Sequence, residues 1–199
     1  MEYTLESLMK NDGFICPSCG RRHFGLLGDC IVGDNAIESL PSVLEKYSAK
    51  YPYVLCDINT YKAAGERVCA VLDSCGIKYF CHIIGRDRPA PDEKTVGEAF
   101  MFCPNECDSV LAVGGGVIND TGKIIAAQKH IPDIIIGTAP SMDGFASGTS
   151  SMERCGLKIS LPTKCPDVVI GEPEILANAP KRMILSGIGD ILAKYVSVV

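Results

Sequence analysis

The chain lacks an apolar run long enough to cross a bilayer, and residues 1–6 (MEYTLE) lack the basic and then apolar pattern of a secretory signal peptide. These two absences predict a cytoplasmic protein without a membrane span. Positive side chains are also outnumbered, since 19 lysines and arginines stand against 24 aspartates and glutamates and the formal net charge is -5 at pH 7. Such a chain is poorly suited to bind nucleic acid or an anionic membrane surface, so neither partner is expected.

Cysteine is abundant, but its distribution does not predict a disulfide framework. The 11 cysteines are odd in number and scattered, and a cytoplasmic protein keeps its thiols reduced. Cys16 and Cys19 have the C-x₂-C spacing of a zinc knuckle, with His23 a candidate third ligand and Cys30 a candidate fourth. The alternatives are a loop of free thiols and, for Cys30 beside an apolar run, a core thiol.

Short apolar runs alternate with segments of helical spacing from Cys30 onward. Strands are predicted at 54–56, 79–84, 110–113, 134–136 and 168–170, and helices at 60–75, 93–102 and 118–128. This alternation predicts an α/β fold with a Rossmann-like parallel sheet covered on both faces. After Gly171 only helical segments follow, which predicts the start of an all-helical domain. The expected organisation is a Cys/His-containing, irregular lead-in at 1–25, a nucleotide-binding domain at 26–172 and an incomplete helical domain at 173–199.

A glycine-rich turn follows the predicted strand at 110–113 and opens the next helix. Bare backbone and the free N–H groups of a helix N-terminus together favour binding of a phosphate. The candidate cofactor-binding residues of this turn are Gly114, Gly115, Gly116, Val117, Ile118, Asn119 and Asp120. The alternative is that these glycines serve packing alone.

Two further segments carry side chains suited to a ligand. Asp57 closes a strand, where a carboxylate can accept hydrogen bonds from a ribose diol or, alternatively, cap the next helix. Asp57 precedes the glycines, so this is not the common dinucleotide fingerprint, in which the acid comes later. The segment 138–147 is small, polar and placed after a strand, where it either binds a ligand or forms a plain turn.

The last predicted helix contains two glycines and one acid on an apolar face. Gly187 and Gly189 each disfavour the helix by ~1 kcal/mol relative to alanine, so close approach of a neighbour or a ligand is expected there. Asp190 is expected to be buried, and a buried carboxylate needs a cation or hydrogen bonds. Lys194 at i+4 is one candidate and a metal is the other.

Three segments, 113–123, 138–147 and 179–190, occur in this order and spacing in the glycerol-1-phosphate dehydrogenase family. That family belongs to the iron-containing alcohol dehydrogenase and dehydroquinate synthase-like superfamily. The sequences TAPSMDG at 138–144 and SGIGDILAKY at 186–195 resemble its bacterial branch. The resemblance covers nearly the whole chain after about residue 25. It implies an α/β cofactor domain, a helical domain and a site between them.

The resemblance also implies a reaction, the NAD(P)H-dependent interconversion of dihydroxyacetone phosphate and sn-glycerol 1-phosphate. It assigns Asp57 to the adenosine ribose and 114–120 to the pyrophosphate. The nicotinamide side is assigned to Thr138, Ala139, Pro140, Ser141 and Ser147. Asp143 and Asp190 are then the candidate catalytic and substrate-binding residues. Asp190 would ligate a zinc or nickel ion that polarises the substrate carbonyl.

One departure from the family concerns the metal. The family completes its metal site with two later histidines, and His23, His82 and His130 match neither position. The last helix also carries no stop signal. We therefore expect the chain to be part of a longer homo-oligomeric enzyme and to be inactive by itself. The alternatives are a related polyol or alcohol dehydrogenase and a non-catalytic nucleotide-binding module.

Overall fold

A six-stranded parallel sheet forms the centre of the molecule. The computed structural model describes residues 13–23, 25 and 27–197. The strands of this sheet are β3 (Asp29–Val32), β4 (Pro52–Asp57), β5 (Phe80–Ile84), β6 (Ser109–Gly114), β7 (Asp133–Gly137) and β10 (Val168–Gly171). Their order across the sheet is β3-β10-β7-β6-β4-β5, and every pairing is parallel. The predicted Rossmann-like fold class is confirmed.

Helices cover both faces of this sheet. They are a 3₁₀ turn (Ala36–Ser39), α1 (Leu40–Lys46), α2 (Glu66–Ser74), α3 (Glu93–Phe102) and α4 (Gly116–Lys129). One core cluster packs α1 and α2 against residues such as Val54, Leu111 and Ile134. The other packs α3 and α4 against Leu55, Ala112 and neighbouring apolar residues. Because both faces are buried, β4, β6 and β7 are apolar almost throughout rather than alternating.

The chain after the sheet is helical, as the sequence predicts. It forms α5 (Pro173–Ala177) and α6 (Lys181–Ser197), with Pro173 at the start of α5. The predicted helix at 60–75 is a composite of a turn at Ile58–Thr60, a π-helical turn at Tyr61–Gly65 and then α2. None of the described helices is long and apolar enough to cross a membrane.

Within the described residues, two antiparallel hairpins lie outside the parallel sheet, and the sequence interpretation missed both. The first pairs β1 (Phe14–Ile15) with β2 (Arg22–His23), so the described part of the predicted irregular lead-in is ordered. Residues 1–12, also assigned to that lead-in, lie outside the described residues. The second pairs β8 (Thr149–Arg154) with β9 (Leu157–Pro162). Its turn at Cys155 and Gly156 has positive φ at both positions, which suits a tight hairpin.

Candidate nucleotide and substrate site

The sheet reverses its direction of winding between β4 and β6. The chain passes from β4 outward to β5 and then returns to β6, from which it winds the other way through β7 and β10. In open α/β sheets, ligands bind outside the carboxyl ends of the strands at such a reversal. Asp57 ends β4 and Gly114 ends β6, so the acid and the glycine turn lie on neighbouring strands despite their separation in sequence.

The glycine turn between β6 and α4 is tightly packed. A Cβ on Gly114 would lie 2.5 Å from Cβ of Ile118, so the first turn of α4 requires glycine there. Gly115 is the extended residue before α4, and Gly116 is its first residue. The nearest atoms to a Cβ at these two positions would be in methionine side chains, Met183 Cε at 3.3 Å from Gly115 and Met142 Sδ at 3.1 Å from Gly116. Packing therefore explains Gly114, whereas Gly115 and Gly116 lie beneath flexible thioethers that a ligand could displace.

Two cavities are lined by residues that lie beside this turn. The first, of about 450 Å³, is lined by Thr138, Ala139 and Met183, together with residues after β4 and in α5. The second, of about 560 Å³, is more polar. It brings together five of the predicted site residues, namely Asp120, Ser141, Asp143, Ser147 and Asp190. Met183 and Met142 line opposite cavities and both contact the turn, so the glycine turn lies between them.

Lys123 is a fully buried cation about two turns into α4. Its Nζ lies 3.2 Å from Oδ1 of Asp120 and donates to the carbonyl oxygens of Thr149 at 2.8 Å and Gly144 at 3.2 Å. It also lies 3.4 Å from the backbone and hydroxyl oxygens of Ser147. Burial raises the pKa of Asp120, and Lys123 opposes that shift. Lys123 therefore fixes the segment 144–149 against α4.

Of the predicted phosphate-binding residues beyond the glycines, Val117, Ile118 and Asp120 are engaged by other parts of the protein. Asp120 Oδ2 accepts a hydrogen bond of 3.2 Å from the Ser151 N–H in addition to the Lys123 contact. Ile118 is a core residue, and Val117 accepts the Thr121 hydroxyl through its carbonyl. Asn119 is fully buried, and its side-chain amide has no hydrogen-bond partner among the described residues. Any phosphate contact from this stretch would therefore come from backbone N–H groups at the start of α4 or from the unpartnered Asn119 amide.

The loop at 138–147 is bound at both ends rather than being a free turn. The Thr138 N–H donates to the carbonyl of Gly114 at 3.2 Å, and Thr138 and Ala139 are buried. The Ser147 hydroxyl donates to the Thr149 carbonyl at 2.8 Å. Ser141 Oγ lies 3.8 Å from the position of a Cβ on Gly115, over the glycine turn.

Helix α6 packs closely on this loop, as its glycines predict, but only one of them is needed. A Cβ on Gly187 would lie 1.8 Å from the carbonyl oxygen of Pro140, whereas a Cβ on Gly189 would meet nothing within 4 Å. Gly187 is therefore required for close approach. No neighbour among the described residues requires glycine at 189.

The expected burial of Asp190 was wrong, and so was its pairing with Lys194, whereas a metal at Asp190 stays a prediction. Asp190 is only partly buried, and its Oδ2 accepts a hydrogen bond of 2.8 Å from the Asp143 N–H. Lys194 bridges to Asp143 Oδ2 at 2.9 Å instead of pairing with Asp190. This ion pair lowers the pKa of Asp143 and raises that of Lys194. Apolar neighbours on the same helix, including Ile188 and Leu192, are half-exposed, so α6 has little packed against it to bury Asp190.

The carboxylate of Asp57 caps the turn that follows β4. Its Oδ1 accepts the N–H groups of Asn59 and Thr60, both at 2.8 Å, and the Thr60 hydroxyl accepts the Asp57 N–H at 2.9 Å. The capping interpretation is therefore correct. It does not exclude contact with a ribose, because both hydrogen bonds to the carboxylate engage the same oxygen and the capped residues Asn59 and Thr60 line the first cavity.

Lys158 is a candidate site residue that the sequence interpretation missed. It projects from β9 into the polar cavity and into an adjoining cavity of about 480 Å³ that also contains Gly116, Val117 and Ser151. It is the only lysine or arginine that lines either cavity within the described residues. The signal was present, since alternating residues on each side of Cys155-Gly156 are typical of a hairpin.

The predicted zinc knuckle forms a second candidate site, in the hairpin of β1 and β2. Ligand atoms of Cys16, Cys19 and His23 all lie within 4.8 Å of one another. Backbone N–H groups of Cys19 and Ser18 lower the pKa of the Cys16 thiol. Cys30 is an exposed residue of β3 outside this cluster, so it is neither a fourth ligand nor a core thiol.

Comparisons with known proteins identify the family of this chain. The model of the family described as "Iron-containing alcohol dehydrogenase" matches residues 31–180. The chain belongs to the iron-containing alcohol dehydrogenase family. The matched span runs from the second half of β3 to the start of α6 and thus contains the sheet, the glycine turn and the loop at 138–147.

Curated relatives of this family member are glycerol-1-phosphate dehydrogenases (NAD(P)+). The chain is 35% identical over 173 residues to that of Bacillus velezensis, covering 85% of this chain and 44% of the relative. It is 29% identical over 203 residues to that of Geobacillus thermodenitrificans, covering 100% and 49%. It is 31% identical over 145 residues to that of Methanothrix thermoacetophila, covering 73% and 40%. The chain thus spans about half the length of the curated relatives it matches.

Solved structures share the fold. A glycerol dehydrogenase from Schizosaccharomyces pombe superposes with a TM-score of 0.74 at 22% identity, covering 85% of this chain and 43% of that one. An NADH-dependent butanol dehydrogenase from Thermotoga maritima gives 0.75 at 20% identity, covering 87% and 49%. The predicted family and fold are therefore confirmed.

Proposed function

We propose that this chain carries the NAD(P)-binding part of an oxidoreductase that interconverts dihydroxyacetone phosphate and sn-glycerol 1-phosphate. The observation that carries the proposal is the polar cavity beside the glycine turn. It brings Ser141, Asp143 and Ser147 of the loop at 138–147 together with Asp190 of α6. The names of the curated relatives supply the reaction and the nucleotide class.

The residues present fit a dinucleotide. The glycine turn lies at the winding reversal of the sheet, between two cavities of about 450 and 560 Å³. Its backbone, at the N-terminus of the 14-residue helix α4, suits a pyrophosphate. Asp57 and its capped turn would then bind the adenosine ribose, and Ser141 and Ser147 would line the nicotinamide side. When bound, the nucleotide supplies or accepts the hydride.

Within the substrate cavity the chain offers charges of both signs. The Asp143 carboxylate would accept a hydroxyl of the substrate while Lys194 holds it ionised through their 2.9 Å contact. Lys158 would bind the substrate phosphate, because it is the cation that lines this cavity among the described residues. A phosphate-binding lysine favours a phosphorylated substrate over the free polyol of a related dehydrogenase.

The described residues do not complete a catalytic metal centre. Such sites usually take three protein ligands. Only Cys16, Cys19 and His23 form a ligand cluster of that size among the described residues, and none of them lines the polar cavity. Asp190 is a single donor for the zinc or nickel ion that the resemblance implies. We therefore propose no step that passes through a metal and expect the 199-residue chain to bind nucleotide without measurable turnover.

This incomplete ligand set also supports a second candidate, a non-catalytic nucleotide-binding module. Both candidates predict nucleotide binding, but only the dehydrogenase predicts recognition of the phosphorylated ketone.

The test is a binding titration of the chain saturated with NADH. We expect dihydroxyacetone phosphate to bind at least ~10-fold more tightly than dihydroxyacetone, and Lys158→Met to remove that difference. Lys62→Met, at an exposed lysine after β4, is the matched control and should preserve it. Equal affinity for the two ketones would favour a polyol dehydrogenase. Binding of NADH without either ketone would favour the non-catalytic module.

A further inference from the structure

The hairpin β1–β2 holds the Cys16, Cys19 and His23 cluster by local folding. The Cys16 N–H donates to the Arg21 carbonyl, and the Gly20 N–H donates to the Cys16 carbonyl, both at 2.8 Å. Gly20 has a φ of 67°, which reverses the chain between the two cysteines and His23. This tight turn directs both thiols and the imidazole toward one point.

The position of the His23 ring is fixed by two contacts. It stacks on Phe14 across the hairpin, with ring centroids 5.7 Å apart at 29°, and the two residues are paired in the strand register. Its Nε2 lies 3.1 Å from Sγ of Cys19. The imidazole nitrogen therefore faces the thiols rather than solvent alone.

We propose that Cys16, Cys19 and His23 bind one zinc ion, with water or another small ligand completing the tetrahedron. This site is separate from Asp190 and from the nucleotide cavities. In a tetrahedral zinc site, Zn–S and Zn–N bonds of about 2.3 and 2.0 Å place ligand atoms roughly 3.5–3.8 Å apart. The three ligand atoms already lie within 4.8 Å of one another, so small side-chain movements suffice. Two thiolates and an imidazole favour zinc over magnesium or calcium, which prefer oxygen ligands.

The size of the hairpin gives the metal a structural role. Each of its strands contains only two residues, and an isolated two-stranded hairpin is marginally stable in water. The hairpin also precedes the segment at 31–180 that the family model matches. Zinc would therefore stabilise a hairpin that lies before the segment matched by the family model, and it would leave the parallel sheet unaffected.

The test measures metal content and cobalt spectra of the full chain purified under reducing conditions. We expect about one zinc ion per chain, and cobalt substitution should give thiolate-to-cobalt charge-transfer absorption with tetrahedral d–d bands. Cys16→Ser and Cys19→Ser should each lower zinc affinity at least ~10-fold and abolish or weaken that band, and His23→Asn should shift the d–d bands. Cys75→Ser, at another exposed cysteine, and Asp190→Asn should retain the metal.

Circular dichroism of each variant checks that the sheet is intact, which is expected because the cluster lies outside both core clusters. Three results would overturn the proposal. They are a reduced chain without metal, zinc that persists in the Cys16→Ser/Cys19→Ser double variant, and a Cys16–Cys19 disulfide as the native state.

Discussion

The carbonyl oxygen of Pro140 lies 1.8 Å from the position that a Cβ on Gly187 would occupy. This contact sets how closely α6 packs on the loop at 138–147. Since the obstacle is backbone, a side chain at 187 cannot be accommodated by rotamer changes alone. We expect Gly187→Ala to lower the free energy of unfolding by ~2 kcal/mol or more.

The matched control is Gly189→Ala on the same helix. A Cβ there meets nothing within 4 Å, and alanine favours the helix by ~1 kcal/mol, so this variant should be as stable as the parent or more so. Chemical denaturation measures both. Equal stability of the two variants would contradict the proposed close packing of α6.

The buried Lys123 should be essential for stability rather than only for ligand binding. Lys123→Met leaves Asp120 and several carbonyls without their cation, so we expect a loss of ~2–4 kcal/mol. Lys94→Met, at an exposed position of α3, should change stability by less than ~0.5 kcal/mol. Adding Asp120→Asn to Lys123→Met should cost less than the sum of the single changes, because the two residues interact. Additive losses would contradict the pairing.

Asp133 should make stability depend on pH. Burial raises the pKa of its carboxyl from 3.8 to about 8, and neither carboxyl oxygen has a hydrogen-bond partner among the described residues. Between these pH values the folded chain keeps a proton that the unfolded chain releases. The Asp133 contribution to the free energy of unfolding therefore falls as pH rises from about 4 to 8.

Asp133→Asn tests this dependence because an amide does not titrate. Denaturation at pH 5 and pH 8 should show a smaller loss between the two values in the variant. At pH 8 the variant should be more stable than the parent by ~1–3 kcal/mol. Parallel pH profiles would show that Asp133 does not titrate in this range.

Asp57 combines an observed structural role with a proposed binding role, and Asp57→Ser separates them. Serine is also a good helix N-cap, so stability should change by less than ~1 kcal/mol. Loss of the carboxylate should weaken NADH binding ~10-fold while weakening NADPH binding less, because an acid repels a 2′-phosphate. Denaturation and nucleotide titrations measure the two effects. Unchanged preference between the nucleotides would restrict Asp57 to capping.

The parallel sheet was predictable because its strands are buried on both faces. Continuous apolar runs such as those of β4 and β6, separated by helical segments, are a strong local signal. The β8–β9 hairpin was missed because exposed alternating strands carry polar residues, as Ser151 and Lys158 illustrate. Its strongest local signal in the sequence was Gly156, because glycine readily adopts the positive φ that this turn requires.

The site could be only partly predicted, because some of its ion pairs join residues that are distant in sequence and meet only in the folded chain. The i+4 spacing favours pairing of Lys194 with Asp190, but the loop at 138–147 brings Asp143 closer to that lysine. Lys123 gave little sign of burial, since lysine is rarely fully buried without partners and, apart from Asp120 three residues earlier, its partners lie 21 to 26 residues further along the chain. Gly187, by contrast, was predictable because a helical glycine is unfavourable unless a neighbour requires it.

The measurement that tests the central claim most directly is NADH binding to this chain by calorimetry. Gly116→Ala places a methyl group in the glycine turn, 3.1 Å from the movable Sδ of Met142. Gly97→Ala, in α3 with nothing within 4 Å of its Cβ position, is the control. We predict saturable binding to the parent and to Gly97→Ala, with affinity at least ~10-fold lower in Gly116→Ala. Absence of binding to the folded chain, or equal affinity in all three, would contradict the assignment of the glycine turn to the nucleotide.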